Sequence, residues 1–254
     1  MDDDQKEGVA LRLDEVRVPY HQVSGVRVRL ECPFILEGEE LYSVKWYRGA
    51  HEFFRYVPAD TQYRMQNFDL PGVKVDTTAS DARVVELLPV SLQSSGSYKC
   101  EVSADNPSFY TTSQSANMLV VEPPAEAPVI TGLKERYGKD EYVNATCISY
   151  KSRPAASLTW YINQKQAPRH HLIQYAPRQE GGLETALLGI SFRLTLRHAM
   201  RSKLDFNCTA SIAAVYWRWS AHSAQVVGAH GDAASSALES KVVLMKADKT
   251  ETWI

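Results

Sequence analysis

Four cysteines and seven histidines are the residues of this 254-residue chain best suited to covalent, redox or metal chemistry. The cysteines stand at 32, 100, 147 and 208, so successive gaps are 68, 47 and 61 residues. Zinc knuckles and redox dithiols need sulfurs only about two to four residues apart, and no pair here meets that. His170 and His171 are adjacent, which on a strand sends them to opposite faces, a poor geometry for sharing one metal; they read as solvated loop residues. No G-x-S-x-G, H-E-x-x-H or phosphate-cradling glycine loop occurs. The expectation is a chain that is not an enzyme, with no cofactor and no metal.

The cysteine spacing has another use. Trp46 lies 14 residues after Cys32, and Trp160 lies 13 after Cys147, each in a strand-like context, "YSVKWYR" and "SLTWYIN". A cysteine, a tryptophan soon after and a second cysteine some 60 to 70 residues on is the pattern of an immunoglobulin β-sandwich, in which the indole packs on a disulfide joining two sheets. It occurs twice. The bridges it predicts are Cys32–Cys100 and Cys147–Cys208; the competing reading, four buried thiols in a reducing compartment, leaves the tryptophans unexplained. Each bridge closes a loop of about 60 residues, worth on the order of 4 kcal/mol in the chain-entropy account, and persists only in an oxidising compartment. In "SSGSYKC" Tyr98 stands two residues before Cys100, where a tyrosine-corner hydroxyl ties the turn to its strand. Ser94 occupies the place where such domains more often carry an aspartate. In "DFNC" the corner residue is Phe206, which has a ring and no hydroxyl.

The elements that must position these residues follow from alternation. "VRVRLEC" puts Val26, Val28, Leu30 and Cys32 on one side and Arg27, Arg29 and Glu31 on the other. "LYSVKWYR" sends Val44 and Trp46 inward, and "ARVVELLPV", "YKCEVSA" and "SANMLVVE" complete the first unit. The long first interval leaves room for an extra edge strand, "EFFRYVP", so this unit reads as variable-like or intermediate in type. The second unit repeats the plan with "YVNATC", "SLTWYIN", "ISFRLTL" and "LDFNCTAS", with Phe192, Leu194 and Leu196 inward and Arg193, Thr195 and Arg197 outward. The expected fold is all-β: two tandem immunoglobulin-like sandwiches over 9–122 and 123–227, joined by the stiff, proline-bearing "EPPAEAPVI". Residues 228–254 read as a flexible or appended tail, in which Ser236 and Glu239 could cap one short helix.

Charge narrows the partners. A formal net charge of −2 argues against nucleic acid. Residues 1–122 carry 12 Lys/Arg against 19 Asp/Glu, a net of −7, while 123–254 carry 16 against 11, a net of +5. No window of about 18 apolar residues exists, so no bilayer-spanning segment is expected. The opening "MDDDQKEG" is acidic where a secretory leader is basic and then apolar; with disulfides expected, the N-terminus reads as incomplete or trimmed. The triplets "NAT" at Asn144 and "NCT" at Asn207 are glycosylation sequons.

Residues 41–58, "LYSVKWYRGAHEFFRYVP", hold six aromatic side chains: Tyr42, Trp46, Tyr47, Phe53, Phe54 and Tyr56. With Trp46 held inward by the disulfide, period-two geometry turns Lys45 and Tyr47 outward. On the next strand Arg55 is expected outward with Phe53, and Lys99, Glu101 and Ser103 join from the cysteine-bearing strand. Exposed Tyr, Phe and Arg on one sheet face have the composition of a protein-binding hot spot; edge pairing or a covering loop is the other reading. In the second unit Arg193, Arg197, Arg201 and Lys203 form a basic stretch suited to a sulfated glycosaminoglycan or, more simply, to solvation.

The strings "LYSVKWYRGAHEFFRYVP", "LPGVKVD", "CEVSADNPSF", "EAPVITG", "YVNATCIS", "LTWYIN" and "GLETALLGISFRL" resemble the beaten-path family of neuronal immunoglobulin-superfamily proteins, from about Ala10 to about Trp219. The resemblance implies a secreted or membrane-anchored recognition protein that binds sidestep-family cell-surface proteins heterophilically in axon guidance and synaptic partner choice. It also implies that the first domain makes the main contact.

Overall fold

Along Lys203–Ile212 each residue that is exposed or half-exposed is followed by a buried one, the signature of a strand with one face in a core and one toward water. The same alternation runs through residues 97–104 of the strand Gly96–Ala104, and strands of this kind assemble into two sandwiches. The structure, a computed structural model, describes residues 11–195 and 202–227.

The first sandwich contains β1 (Arg12–Leu13), β2 (His21–Val23), β3 (Val28–Glu31), β4 (Phe34–Ile35), β5 (Leu41–Arg48), β6 (His51–Tyr56), β7 (Met65–Asn67), β8 (Val75–Asp76), β9 (Val84–Leu87), β10 (Gly96–Ala104) and β11 (Thr111–Val121). One sheet has the order β2-β11-β10-β5-β6-β7; it faces β3-β9-β8, with β1 and β4 as a separate pair. The two strands beyond β5 are the addition that distinguishes a variable-type domain. Cys32 and Cys100 are bonded, and Trp46, 0% exposed, lies in the same buried cluster.

The second sandwich contains β12 (Val129–Thr131), β13 (Arg136–Gly138), β14 (Tyr142–Ser152), β15 (Ser157–Ile162), β16 (Lys165–Gln166), β17 (Leu172–Gln174), β18 (Arg178–Glu180), β19 (Leu183–Arg193), β20 (Lys203–Ile212) and β21 (Tyr216–Val227). Its sheets run β12-β14-β19-β17, with β18 also on β19, and β13-β21-β20-β15-β16. Cys147 and Cys208 are bonded beside the buried Trp160. Phe206 meets Trp160 edge-on at 6.5 Å, a ring contact with no hydroxyl to add a corner hydrogen bond. Phe192 and Leu194 are buried as expected, whereas Leu196 and the tail, with Ser236 and Glu239, lie outside the described residues.

The sandwiches meet at a small apolar joint. Val121, the last residue of β11, clusters with Ala156, Ala210 and Ile212. The backbones of Glu122 and Arg153 exchange both hydrogen bonds, at 2.9 and 2.8 Å, and the Ser24 hydroxyl donates to the Glu122 carboxylate.

The tyrosine corner is present. Tyr98 Oη donates to the Ser94 carbonyl at 2.6 Å, and burial raises its phenol to about 12, so it stays a donor. Ser94 answers for the missing aspartate: its hydroxyl accepts from Ser91 N–H at 2.9 Å and donates to the Gly72 carbonyl at 2.5 Å. Gly72 has φ +80, and a Cβ there would meet Gln93 at 2.7 Å, so only glycine fits beneath the corner.

Three expectations need correction. Val26 is 38% exposed because β3 begins at Val28; Val26 still lies on the turn that follows Gly25, its carbonyl accepting from Val90 N–H at 2.8 Å. His171 is not a solvated loop residue: it sits in a 3-10 turn, Arg169–His171, stacked on Phe192 at 4.8 Å. Phe53, expected outward, is 1% exposed. Trp46 pairs with Phe54 and Tyr47 with Glu52, so Phe53 is the extra residue of a β-bulge. Two β6 residues then oppose one step of β5, and strict alternation fails. Phe53 and Phe54 both turn into the core, where Phe53 meets Tyr98 edge-on at 5.9 Å.

Phe53→Ala is therefore expected to cost about 3–5 kcal/mol in urea unfolding, against less than about 0.5 for an exposed ring. Tyr98→Phe, which leaves the buried Ser94 carbonyl without its donor, is expected to cost about 1–2 kcal/mol in the same measurement.

Candidate functional site

The disulfide fixes which way β5 and β10 face, and the residues between the buried ones rise from the opposite side. On β10, Lys99 lies across from Tyr47, Glu101 from Lys45 and Ser103 from Ser43. Glu101 is the centre. Its carboxylate accepts from Tyr47 Oη at 3.2 Å and Lys99 Nζ at 3.2 Å, with Lys45 Nζ at 3.9 Å. The Lys99 ammonium also stands 4.2 Å from the centroid of the Tyr47 ring, a cation–π contact. Burial, followed by the Glu101 charge, pushes the Tyr47 phenol up to about 12, so it presents a neutral hydroxyl.

The bulge shapes the neighbouring strand. By absorbing Phe53 it brings Glu52 to the same side as Arg55, and the guanidinium forms a two-pronged pair with the carboxylate at 2.7 and 2.9 Å. That hydrogen-bonded carboxylate raises the already high Arg55 pKa. Arg55 also lies 5.5 Å from the centroid of Phe68. The two side chains are only 35% and 18% exposed, so both are held before any partner arrives. On the far side, β11 offers Ser113 opposite Glu101 and Ser115 opposite Lys99. Small residues there leave this flank of the face open. Ser103 Oγ and Thr111 Oγ1 are 2.9 Å apart.

Of the residues expected on this surface, Lys45, Tyr47, Arg55, Lys99, Glu101 and Ser103 are brought together; Phe53 is not. Residues that alternation did not bring in supply the apolar area. The pairing of β10 with β5 shifts between Ser103 and Ala104. Tyr42 stands at this end, 53% exposed, close enough to Arg55 for its phenol to help raise the Arg55 pKa. Beyond it the loop between β10 and β11 displays Phe109 and Tyr110, 68% and 49% exposed. Phe109 has φ 50, a left-handed conformation that costs a non-glycine residue energy. The loop is tied down by Asp105 N–H to the Glu40 carbonyl and Ala104 N–H to the Tyr110 carbonyl, both 2.8 Å. The sequence signal was the cluster "SFY" itself, which has no strand periodicity to orient it.

The other expected sites are scattered. Asn144 is exposed and accepts from Ser191 Oγ at 2.7 Å. Asn207 is half-buried. Arg193 ends β19 and Lys203 begins β20, strands of different sheets. Each faces a carboxylate, Arg193 with Asp140 at 3.5 Å and Lys203 with Asp205 at 3.0 Å. They do not form one row of unpaired cations; Arg197 and Arg201 lie outside the described residues. Among the described residues no cluster of His, Cys, Asp and Glu could hold a metal ion, and no helix is long and apolar enough to cross a membrane.

Comparison with known proteins bears on the fold. A family model described as a CD80-like C2-set immunoglobulin domain matches residues 127–214. Cell adhesion molecule 4 of Xenopus laevis is 29% identical over 123 residues, which span 48% of this chain and 26% of that protein's own length. A solved structure, Rst D1-D2, superposes with a TM-score of 0.53 at 20% identity, covering 85% of this chain and 98% of that one, a likeness of fold. Two bridged sandwiches, with a C2-set match across the second, make this chain a protein of the immunoglobulin superfamily.

Proposed function

We propose that this chain is an extracellular recognition protein, secreted or held at the cell surface, whose first domain docks its β6–β5–β10–β11 face on an immunoglobulin domain of a sidestep-family receptor. The reading extends to the beaten-path-like role in axon guidance and synaptic partner choice, for which the sequence resemblance is the support. The name of the Xenopus relative, a cell adhesion molecule, is in keeping with it. The observation that carries the reading is the arrangement around Glu101. Tyr47, Lys99 and Lys45 are fixed on one carboxylate, so the face meets a partner with little side-chain freedom left to lose. Tyr42, Phe109 and Tyr110 add exposed rings at its loop end. Rings set among pre-paired charges are the usual composition of hot spots.

Charge gives the partner side. The cations Lys45, Lys99 and Arg55 outnumber the carboxylates Glu52 and Glu101 on this face, so a complementary surface is mildly acidic and carries its own apolar anchors. This fits a heterophilic partner better than a second copy.

Purified chain captured on a sensor surface is expected to bind a sidestep-type ectodomain. Tyr47→Ala and Arg55→Glu should each weaken binding about tenfold or more, with unchanged far-ultraviolet circular dichroism. Tyr175→Ala, an exposed ring on the second domain, should bind as the parent does. Equal affinity in the Tyr47 and Arg55 variants would remove the face from the proposal, and absence of binding to every such ectodomain would remove the partner.

A further inference from the structure

The outer side of the β15–β20–β21 sheet of the second domain carries two exposed tryptophans, Trp217 at 57% and Trp219 at 39%. Neither belongs to the face described above, and neither is needed for the core, which is filled by Leu204, Phe206, Cys208, Ala210 and Ile212 from β20. Two exposed indoles in neighbouring rows of a sheet that is otherwise hydroxyl-rich mark a surface suited to an occupant.

Register identifies it. Outward-facing residues form rows across three strands: Ser157, Ser211 and Trp217; then Thr159, Thr209 and Trp219; then Tyr161, Asn207 and Ala221. The third row contains the sequon asparagine, and its threonine, Thr209, lies directly across from Trp219. Ala221, opposite Asn207, is small and exposed, so it leaves a floor with no side chain standing on it. Trp219 walls that floor on one side, and on the other stand Ser223 and Asp205, joined by a hydrogen bond of 2.5 Å. Diagonal neighbours on such a ladder are about 7–8 Å apart, within reach of an aromatic side chain. Asn207 is half-buried on this face, and its Oδ1 is buried without a hydrogen-bond partner, so no side-chain bond of that atom ties the amide to the strand.

We propose that Asn207 carries an N-linked glycan whose first N-acetylglucosamine lies over Ala221, with its C–H face on Trp219 and its hydroxyls toward Ser223 and Asp205. In the attachment step Nδ2 forms a bond to the anomeric carbon of a lipid-diphosphate-linked oligosaccharide. The bond from that carbon to the diphosphate oxygen breaks, the lipid diphosphate leaves with the electron pair, and Nδ2 loses one proton to a base of the transferring enzyme. A pyranose has a flat apolar side rimmed by hydroxyls, which is the shape of this niche: one indole, one bare floor and one polar wall. Trp219 is then covered by the chain's own sugar. Asn144, with Ser191 beside it and the exposed Tyr142 two residues away on the same face, stands on the other sheet, away from Trp219, and serves as the internal reference.

The test is the full chain expressed behind an added secretory leader in insect cells, with glycopeptides mapped by mass spectrometry. A sugar is expected on Asn207. Its release from the folded protein by a peptide amidase should be roughly fivefold faster in Trp219→Ala, the effect of losing one aromatic contact, and close to the parent rate in Trp219→Phe. Release from Asn144, where that site is occupied, should not change. Without any variant, the protons of the first sugar should be shifted upfield by the indole ring current in NMR spectra. An unmodified Asn207 in the secreted, folded chain overturns the site, and equal release rates with unshifted sugar protons overturn the stacking.

Discussion

Each sandwich depends on one covalent bond between its sheets with an indole packed beside it. A sheet of this size has two faces and must bury one, and what selects the face is the cysteine: Cys100 in the middle of β10 and Cys208 in the middle of β20 are 0% exposed. Once those sulfurs point inward, every second residue on the same strand is committed to the core, and the residues between are committed to water. Lys99 and Glu101 flank Cys100, and Asn207 and Thr209 flank Cys208. Both surfaces discussed above, the charged face of the first domain and the tryptophan-walled niche of the second, are therefore each set by the disulfide of its own sandwich.

A single inserted residue modifies that rule where it matters most. At the bulge opposite Trp46 and Tyr47, β6 uses Phe53 as a second core ring and thereby delivers Glu52 beside Arg55. The core gains a ring against Tyr98, and the surface gains an ion pair with two hydrogen bonds, from one change of register. The six rings of residues 41–58 divide accordingly: Trp46, Phe53 and Phe54 are buried, Tyr47 and Tyr56 are half-buried, and Tyr42 is exposed.

How much of this was legible in the chain alone depended on periodicity. Cys32, Trp46, Tyr98 and Cys100 sit at spacings dictated by the sandwich, so two bridged domains, a tyrosine corner and the outward direction of Tyr47 and Lys99 could all be read. Phe53 could not, because a bulge leaves no mark in a run such as "HEFFRY" until the pairing is known. The strand Tyr216–Val227 was equally hidden: "YWRWSAHSAQVV" places rings, small residues and polar residues on both sides, with no period-two contrast. His171 was misread because a half-buried imidazole stacked on Phe192 looks, in sequence, the same as a solvated one. Phe109 and Tyr110 lie in a loop held by backbone hydrogen bonds, where alternation carries no information.

β11 has a further mechanical meaning. It runs without a break from Thr111, beside the charged face, to Val121 in the joint, and it is laddered to β10 by eight antiparallel residue pairs. A load applied between a gripped first domain and a tethered second one enters along this strand's axis. The rungs of the ladder then resist sliding together instead of parting one after another as in a zipper. The geometry is that of a shear lap joint, in which force along β11 loads all the rungs of its ladder at once.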